Sequence, residues 1–223
     1  MSARPAFEAV HLSEVEEVAA AGSLRWLPLR RRLGVAAFGV NGYRAARAGD
    51  ELIEPHDELG GGAGQHEELY LVVSGHATFT VDGQAVDAPA GTLVFVRDPA
   101  TRRHAVAAAD HTVAVVVGGA AGHPYEVSAW EFSFAAEGPA RAGRLPEAIA
   151  IMREGLALHP ANGSLLYNAA CFEALAGQHD EALAHLQRAL EVAPDDVLRW
   201  AQGDADLDPI RDDPRFPRVA PGT

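Results

Sequence analysis

Residues 54–75 read "EPHDELGGGAGQHEELYLVVSG", and their interpretation decides what kind of molecule this is. Five carboxylates and two histidines surround a run of glycines, after which the chain turns abruptly apolar. Side chains alternate along a strand, so Glu68, Tyr70 and Val72 share one face while Leu69, Leu71 and Val73 share the other. Both faces are largely apolar, the pattern of a strand covered on both sides. Glu68 then stands at the mouth of an interior, beside Tyr70. A charge buried there is costly unless it is paired or bound to a metal. A metal site, a polar binding pocket and a solvated loop are all open readings of His56, Glu58, His66 and Glu68.

Working outward, short β-rich runs recur at Val35–Val40, Leu69–Val73, Thr78–Val81, Leu93–Val96, Ala105–Ala108 and Thr112–Val117. Turn chemistry separates them. In "FTVDGQAV" the Asp-Gly pair supplies the positive φ of a two-residue hairpin turn. Many short strands joined by Gly/Pro turns indicate a sandwich or barrel. Upstream, Ser13 with Glu16 forms a capping-box pattern that predicts a helix over residues 13–21, ended by Gly22.

From about Ser128 the texture is helical, and the chain matches itself at a spacing of 34 residues: Gly143 with Gly177, Ala148 with Ala182, Leu156 with Leu190, Pro160 with Pro194. A helix pair of that length must stack on neighbours to bury its faces. "NAACFEALAGQHDEALAHLQRALEVAPDD" resembles the tetratricopeptide (TPR) family, with small residues at Ala170 and Ala182, an inter-helix Gly and a Pro after the second helix. Pro139 is expected to interrupt the first helix of the earlier copy. The Asp-Pro-rich tail is expected to cap the array through Leu207, Ile210 and Phe216. Two repeats are marginal alone, so this region is expected to pack on the β-region or on a partner.

The β-region resembles the cupin family over roughly residues 34–118. Glu68 and Gly75 keep the spacing of that family's first motif from its Glu to its closing Gly, and Gly83, Pro89 and Gly91 match the opening of its second. The fold class this implies is α+β in two domains: a cupin-type β-barrel (double-stranded β-helix) with an N-terminal helix over 1–126, then TPR helices over 127–223. The family's first His-x-His becomes His56-x-Glu58 here, followed by a long glycine loop. The family's second-motif His falls on Val94 in one register. In another, starting at Gly91, it falls on Arg102 and leaves His104 two residues late. The resemblance thus implies metal ligands at His56, Glu58, Glu68 and His104, with His66 as a substitute. Such a set suits Fe, Mn, Ni, Cu or Zn. Tyr70 is then expected to orient substrate, and Arg102 and Arg103 are candidates to clamp a substrate carboxylate bidentately.

Each residue also has a plainer reading. Glu68 can be a hydrogen-bonded carboxylate in a metal-free pocket, His56 and Glu58 a polar strand end, His104 a barrel-lining imidazole, and Arg102 a solvated strand edge. The glycine loop lacks the lysine and helix start of a phosphate loop. No nucleophile elbow, Walker motif or dinucleotide fingerprint occurs, so no nucleotide cofactor is expected.

A net charge of −13 over 223 residues argues against nucleic acid or an anionic membrane as partner. Three adjacent arginines at Arg30–Arg32 are too few to form a groove. The single cysteine, Cys171, forbids an internal disulfide and fits a reducing compartment. With no signal-like start or membrane-length apolar run, a cytoplasmic location is expected. The function classes left are a metal-dependent cupin oxygenase or isomerase on a small organic molecule, a non-catalytic sensing or binding cupin that relays to a protein through its TPR helices, and a TPR scaffold carried on an oligomerising barrel. The apolar Leu69/Leu71/Val73 face needs a cover, and a homodimer is expected.

Overall fold

The structure is a computed structural model that describes residues 6–19, 22–60 and 62–217. These residues fall into two compact units that divide between Val127 and Ser128. In chain order the first unit contains a 3-10 turn at Leu12–Glu14, β1 (Val18–Ala19), β2 (Arg25–Leu27), α1 (Leu29–Leu33), β3 (Gly39–Ala45) and β4 (Glu51–His56). Then follow β5 (Glu67–Ser74), β6 (His76–Val81), β7 (Gln84–Pro89), β8 (Leu93–Val96), β9 (Arg103–Ala107) and β10 (Thr112–Gly119).

All pairings are antiparallel, in two sheets ordered β1-β2-β3-β10-β5-β8 and β4-β9-β6-β7. Between β3 and β10 the chain passes repeatedly from one sheet to the other, the winding of a double-stranded β-helix. One apolar cluster fills the space between them, with Tyr70 and Val72 of β5, Leu52 and Ile53 of β4, Phe79 of β6, Ala105 and Ala107 of β9, and Val116 of β10. Alternation puts most of these residues inward, while the consecutive pair Leu52 and Ile53 are both buried where the register of β4 against β9 shifts. Asp82 and Gly83 take φ of 47° and 77°, as the β6–β7 hairpin requires. Gly75, the closing glycine of the first motif, has φ of 74°, and a Cβ there would lie 2.5 Å from Thr112 Oγ1.

Two local expectations are corrected. The helix over residues 13–21 is instead a single 3-10 turn followed by β1, with Ala20 and Ala21 outside the described residues. The capping box is present but two residues earlier, between His11 and Glu14, and the following residues gain more from pairing with β2. The run at Val35–Val40 becomes strand only from Gly39. The outer face of β5 is not covered among the described residues: Leu69, Leu71 and Val73 are 37–43% exposed.

The second unit contains α2 (Ala129–Arg141), α3 (Leu145–Leu158), α4 (Gly163–Leu175), α5 (His179–Val192), α6 (Pro194–Ala201) and a 3-10 turn at Ala205–Ile210. The bounds of α4 and α5 are those of α2 and α3 displaced by the 34-residue spacing, with 13 and 14 residues in each pair. Gly143 and Gly177 end the first helix of each pair with φ of 72° and 75°. At both turns the next residue's N–H reaches back to the carbonyl of Pro139 or Glu173 at 2.8–2.9 Å, the six-to-one bond of a Schellman close. Pro139 does not interrupt α2, because it sits in the last turn, where only one helical hydrogen bond is forfeited. Leu207, Ile210 and Phe216 are buried against α4 and α5, so the tail caps the array as expected.

Candidate functional site

His56 ends β4, Glu58 lies at the start of the glycine-rich connection, and Glu68 is the second residue of β5. One ligand atom from each of the three lies within 4.8 Å of the others. The His56 Nδ1 atom lies 2.7 Å from the carbonyl oxygen of Glu54. A carbonyl only accepts, so Nδ1 carries the proton and the Nε2 lone pair faces the pocket. There it stands 3.6 Å from Glu68 Oε2 and 4.0 Å from Glu58 Oε1.

Each carboxylate also serves the fold. Glu58 Oε2 accepts the N–H of Gly64 at 3.0 Å and of His66 at 3.4 Å, tying the loop down over the pocket. Glu68 Oε2 accepts from Arg103 Nη2 at 2.7 Å and Nε at 3.1 Å, and from the Tyr70 hydroxyl. The Arg103 side chain is fully buried. Its Nη1 donates to the carbonyls of Thr101 at 2.8 Å and Pro99 at 3.3 Å, and Nη2 is 3.9 Å from Glu58 Oε1. One guanidinium thus stands between two buried carboxylates.

The electrostatics follow. Burial pushes Glu68 upward, but the imidazole of His56, the charge of Arg103 and the Tyr70 hydrogen bond outweigh it and hold the carboxyl at about 2. Burial and repulsion from Glu68 raise Glu58 against the pull of the Gly64 N–H, His66 and Arg103. Burial lowers His56, yet Glu68 and the Glu54 carbonyl reverse the balance, and its net shift is upward. Burial and the adjacent Glu68 push Tyr70 well up, so its hydroxyl keeps its proton.

The structure therefore brings together His56, Glu58, Glu68 and Tyr70. His66 borders them: its Nδ1 is 3.7 Å from Glu58 Oε2, and its ring packs 5.5 Å from that of Tyr125. His104 and Arg102 are not part of this group. On β9 the inward residues are Arg103, Ala105 and Ala107, so His104 points to the opposite face with Thr80, its partner on β6. His104 and Arg102 line an open hollow of 410 Å³ with Pro55, Thr80, Asp82, Gly83 and Arg103. Arg103, read from the sequence beside Arg102 as a clamp for a substrate carboxylate or a solvated strand edge, is the arginine of the site, and its partner is Glu68. The signal was present, since Arg103 shares parity with Ala105 and Ala107 in "RRHAVA".

The family model described as Tetratricopeptide repeat matches residues 140–207. No curated protein matches the chain. Solved structures of cupin type match its N-terminal half. A cupin protein from Bacteroides fragilis is 20% identical with a TM-score of 0.39, over 53% of this chain and 88% of that one. A cupin-superfamily sugar phosphate isomerase from Silicibacter pomeroyi is 17% identical with a TM-score of 0.40, over 49% and 74%. The polyketide cyclase RemF from Streptomyces resistomycificus is 14% identical with a TM-score of 0.40, over 50% and 78%.

Proposed function

We propose that the barrel holds a divalent transition metal on His56, Glu58 and Glu68 and acts there on a small organic molecule, by oxidation or isomerisation. The repeat helices then serve a protein partner. The observation that carries this reading is the convergence of three donor atoms from three chain segments within 4.8 Å, with the imidazole lone pair aimed inward by the Glu54 carbonyl. The donor set fits such a cation. Two carboxylates face one guanidinium, which leaves the buried cluster one negative charge in excess, and mixed N/O ligands suit Fe, Mn, Ni, Cu or Zn. When bound, the metal supplies Lewis-acid or redox chemistry.

The rest of the work belongs to the chain's own groups. Arg103 and Tyr70 fix the Glu68 carboxylate in its ionised form. Glu58 holds the Gly64–His66 backbone over the pocket, which limits water. His56 presents Nε2 to the pocket, 3.6 Å from Glu68 Oε2. The proposal places the protein in the cytoplasm as a homodimer.

A second reading, a non-catalytic small-molecule-binding cupin that relays to a partner through its TPR region, draws support from Arg103. Its guanidinium already neutralises Glu68 without any metal. Metal analysis of untagged protein separates the two. The metal reading expects about one equivalent of Fe, Mn, Ni, Cu or Zn, lost in His56→Ala and Glu68→Ala but retained in His104→Ala. Wild-type protein that takes up none of these ions at neutral pH would leave the binding reading in its place.

A further inference from the structure

The outer face of the larger sheet is divided. Over β3 and β10 it is covered by the N-terminal segment, where Val15, Leu27 and Leu29 pack with Val10, Leu12, Val40 and Val115. Over β5 and β8 it is exposed among the described residues. Leu69 and Leu71 on β5 pair across the strands with Phe95 and Leu93 on β8, and all four are exposed, Leu93 to 60%. Val73 and Val117 extend the same patch. Contiguous apolar surface of this kind on a soluble domain marks an interaction site.

What covers it is indicated by the end of the patch. One step beyond the Glu68/Val96 pair stand Glu67 on β5 and Arg97 after β8, with the Arg97 guanidinium 4.9 Å over the Phe95 ring. Neither residue makes an ion pair among the described residues. The two strands therefore carry matched rows, Glu67/Arg97, Leu69/Phe95 and Leu71/Leu93, and each row contains its own complement.

We propose that this face is the contact of the homodimer, with the two-fold axis running along the strands between β5 and β8. The assignment rests on the homodimer reading and is independent of the metal. A rotation about that axis lays β5 of one copy over β8 of the other. Leu69 then meets the partner's Phe95, Leu71 the partner's Leu93, and Glu67 the partner's Arg97, each twice. Two twisted sheets packed this way cross at about 30°, so the apolar rows near the axis supply the adhesion. The two rim ion pairs set the register. A chain of net charge −13 repels its own copy in general, and this face offers it an apolar approach with opposite charges in register.

The test is sedimentation velocity on the full chain, in wild type and in surface variants. Wild type is expected to be a dimer. Glu67→Arg and Arg97→Glu each place like charges across the axis and should weaken the dimer tenfold or more. The double variant restores the pairing with its polarity reversed and should recover most of the affinity. Phe95→Ser at the centre of the patch should weaken the dimer at least as much as either charge change. A wild type that stays monomeric at all concentrations overturns the homodimer itself, with the chain's own helices or a foreign protein left as the cover. A dimer indifferent to all four variants overturns this interface and leaves the dimer standing.

Discussion

Arg103 is the residue on which the site turns. Its side chain is fully buried, and it spends its donors on Glu68 and on two backbone carbonyls. Removing it would leave two carboxylates facing each other without a fixed counter-charge. Arg103→Ala should therefore cost about 3–5 kcal/mol of stability, the usual loss when one member of a buried pair is removed. Urea denaturation measures this, and the metal proposal adds a second expectation: divalent cation should recover part of the loss, since it becomes the only positive charge in the pocket. Sequence reasoning reached Glu68 and Tyr70 because strand alternation and a fixed spacing place them. It named Arg103 only together with Arg102, as a substrate clamp, and did not foresee its pairing with Glu68, because family spacing favoured a histidine there, whereas the pleat admits Arg103 and turns both Arg102 and His104 outward. A shift of one residue decides between two faces of a sheet.

Among elements, the repeat helices were the most legible. Their spacing appears directly in the sequence, and the two copies keep the same helix bounds relative to each other. Each first helix ends in a glycine that must take positive φ. At Gly177 a Cβ would meet nothing within 4 Å, so the penalty of adding one is conformational alone. Gly177→Ala should destabilise by about 1–2 kcal/mol, read as a lower thermal midpoint with unchanged helicity below it. Gly64 is a different case. A Cβ there would fall 2.1 Å from His66 Nε2, so Gly64→Ala must move either the loop or the imidazole. The expected result is weaker metal retention with little change in global stability, measured by chelator competition. The N-terminal segment was the least legible. A capping-box pattern was read as the start of a long helix, but long-range pairing of β1 with β2 decided that stretch, and a local pattern does not contain that information.

At the scale of the whole molecule, the two units each have their own apolar cluster, and the network of His56, Glu58, Glu68 and Arg103 lies within the first. Acid should therefore act on them unequally. Glu68 titrates near 2 in the fold, below its ordinary 4.5. Its ionised form thus contributes stability above pH 4.5, and that contribution is lost as pH falls toward 2. A depression of that size is on the order of 3 kcal/mol. Glu58 is shifted the other way and offsets part of this near neutrality. Calorimetry between pH 6 and pH 3 should show two transitions, with the barrel's moving down more steeply than that of the helices. A single transition, or equal displacement of both, would contradict it. Two textures with different periodicities were visible in the sequence from the outset. How the outer sheet face is covered was not, because alternation marks a residue as outward without saying what lies beyond it.

Glu58 has a further consequence, and it is kinetic. One of its oxygens fastens the backbone of Gly64 and His66, and the other faces His56 across the pocket. The loop cannot lift while that carboxylate stays in place, and the carboxylate cannot leave without freeing the loop. For any ligand seated between His56 and Glu68, opening the door and losing one of its contacts are then a single event. Its residence time is set by the frequency of that event more than by the number of contacts it makes.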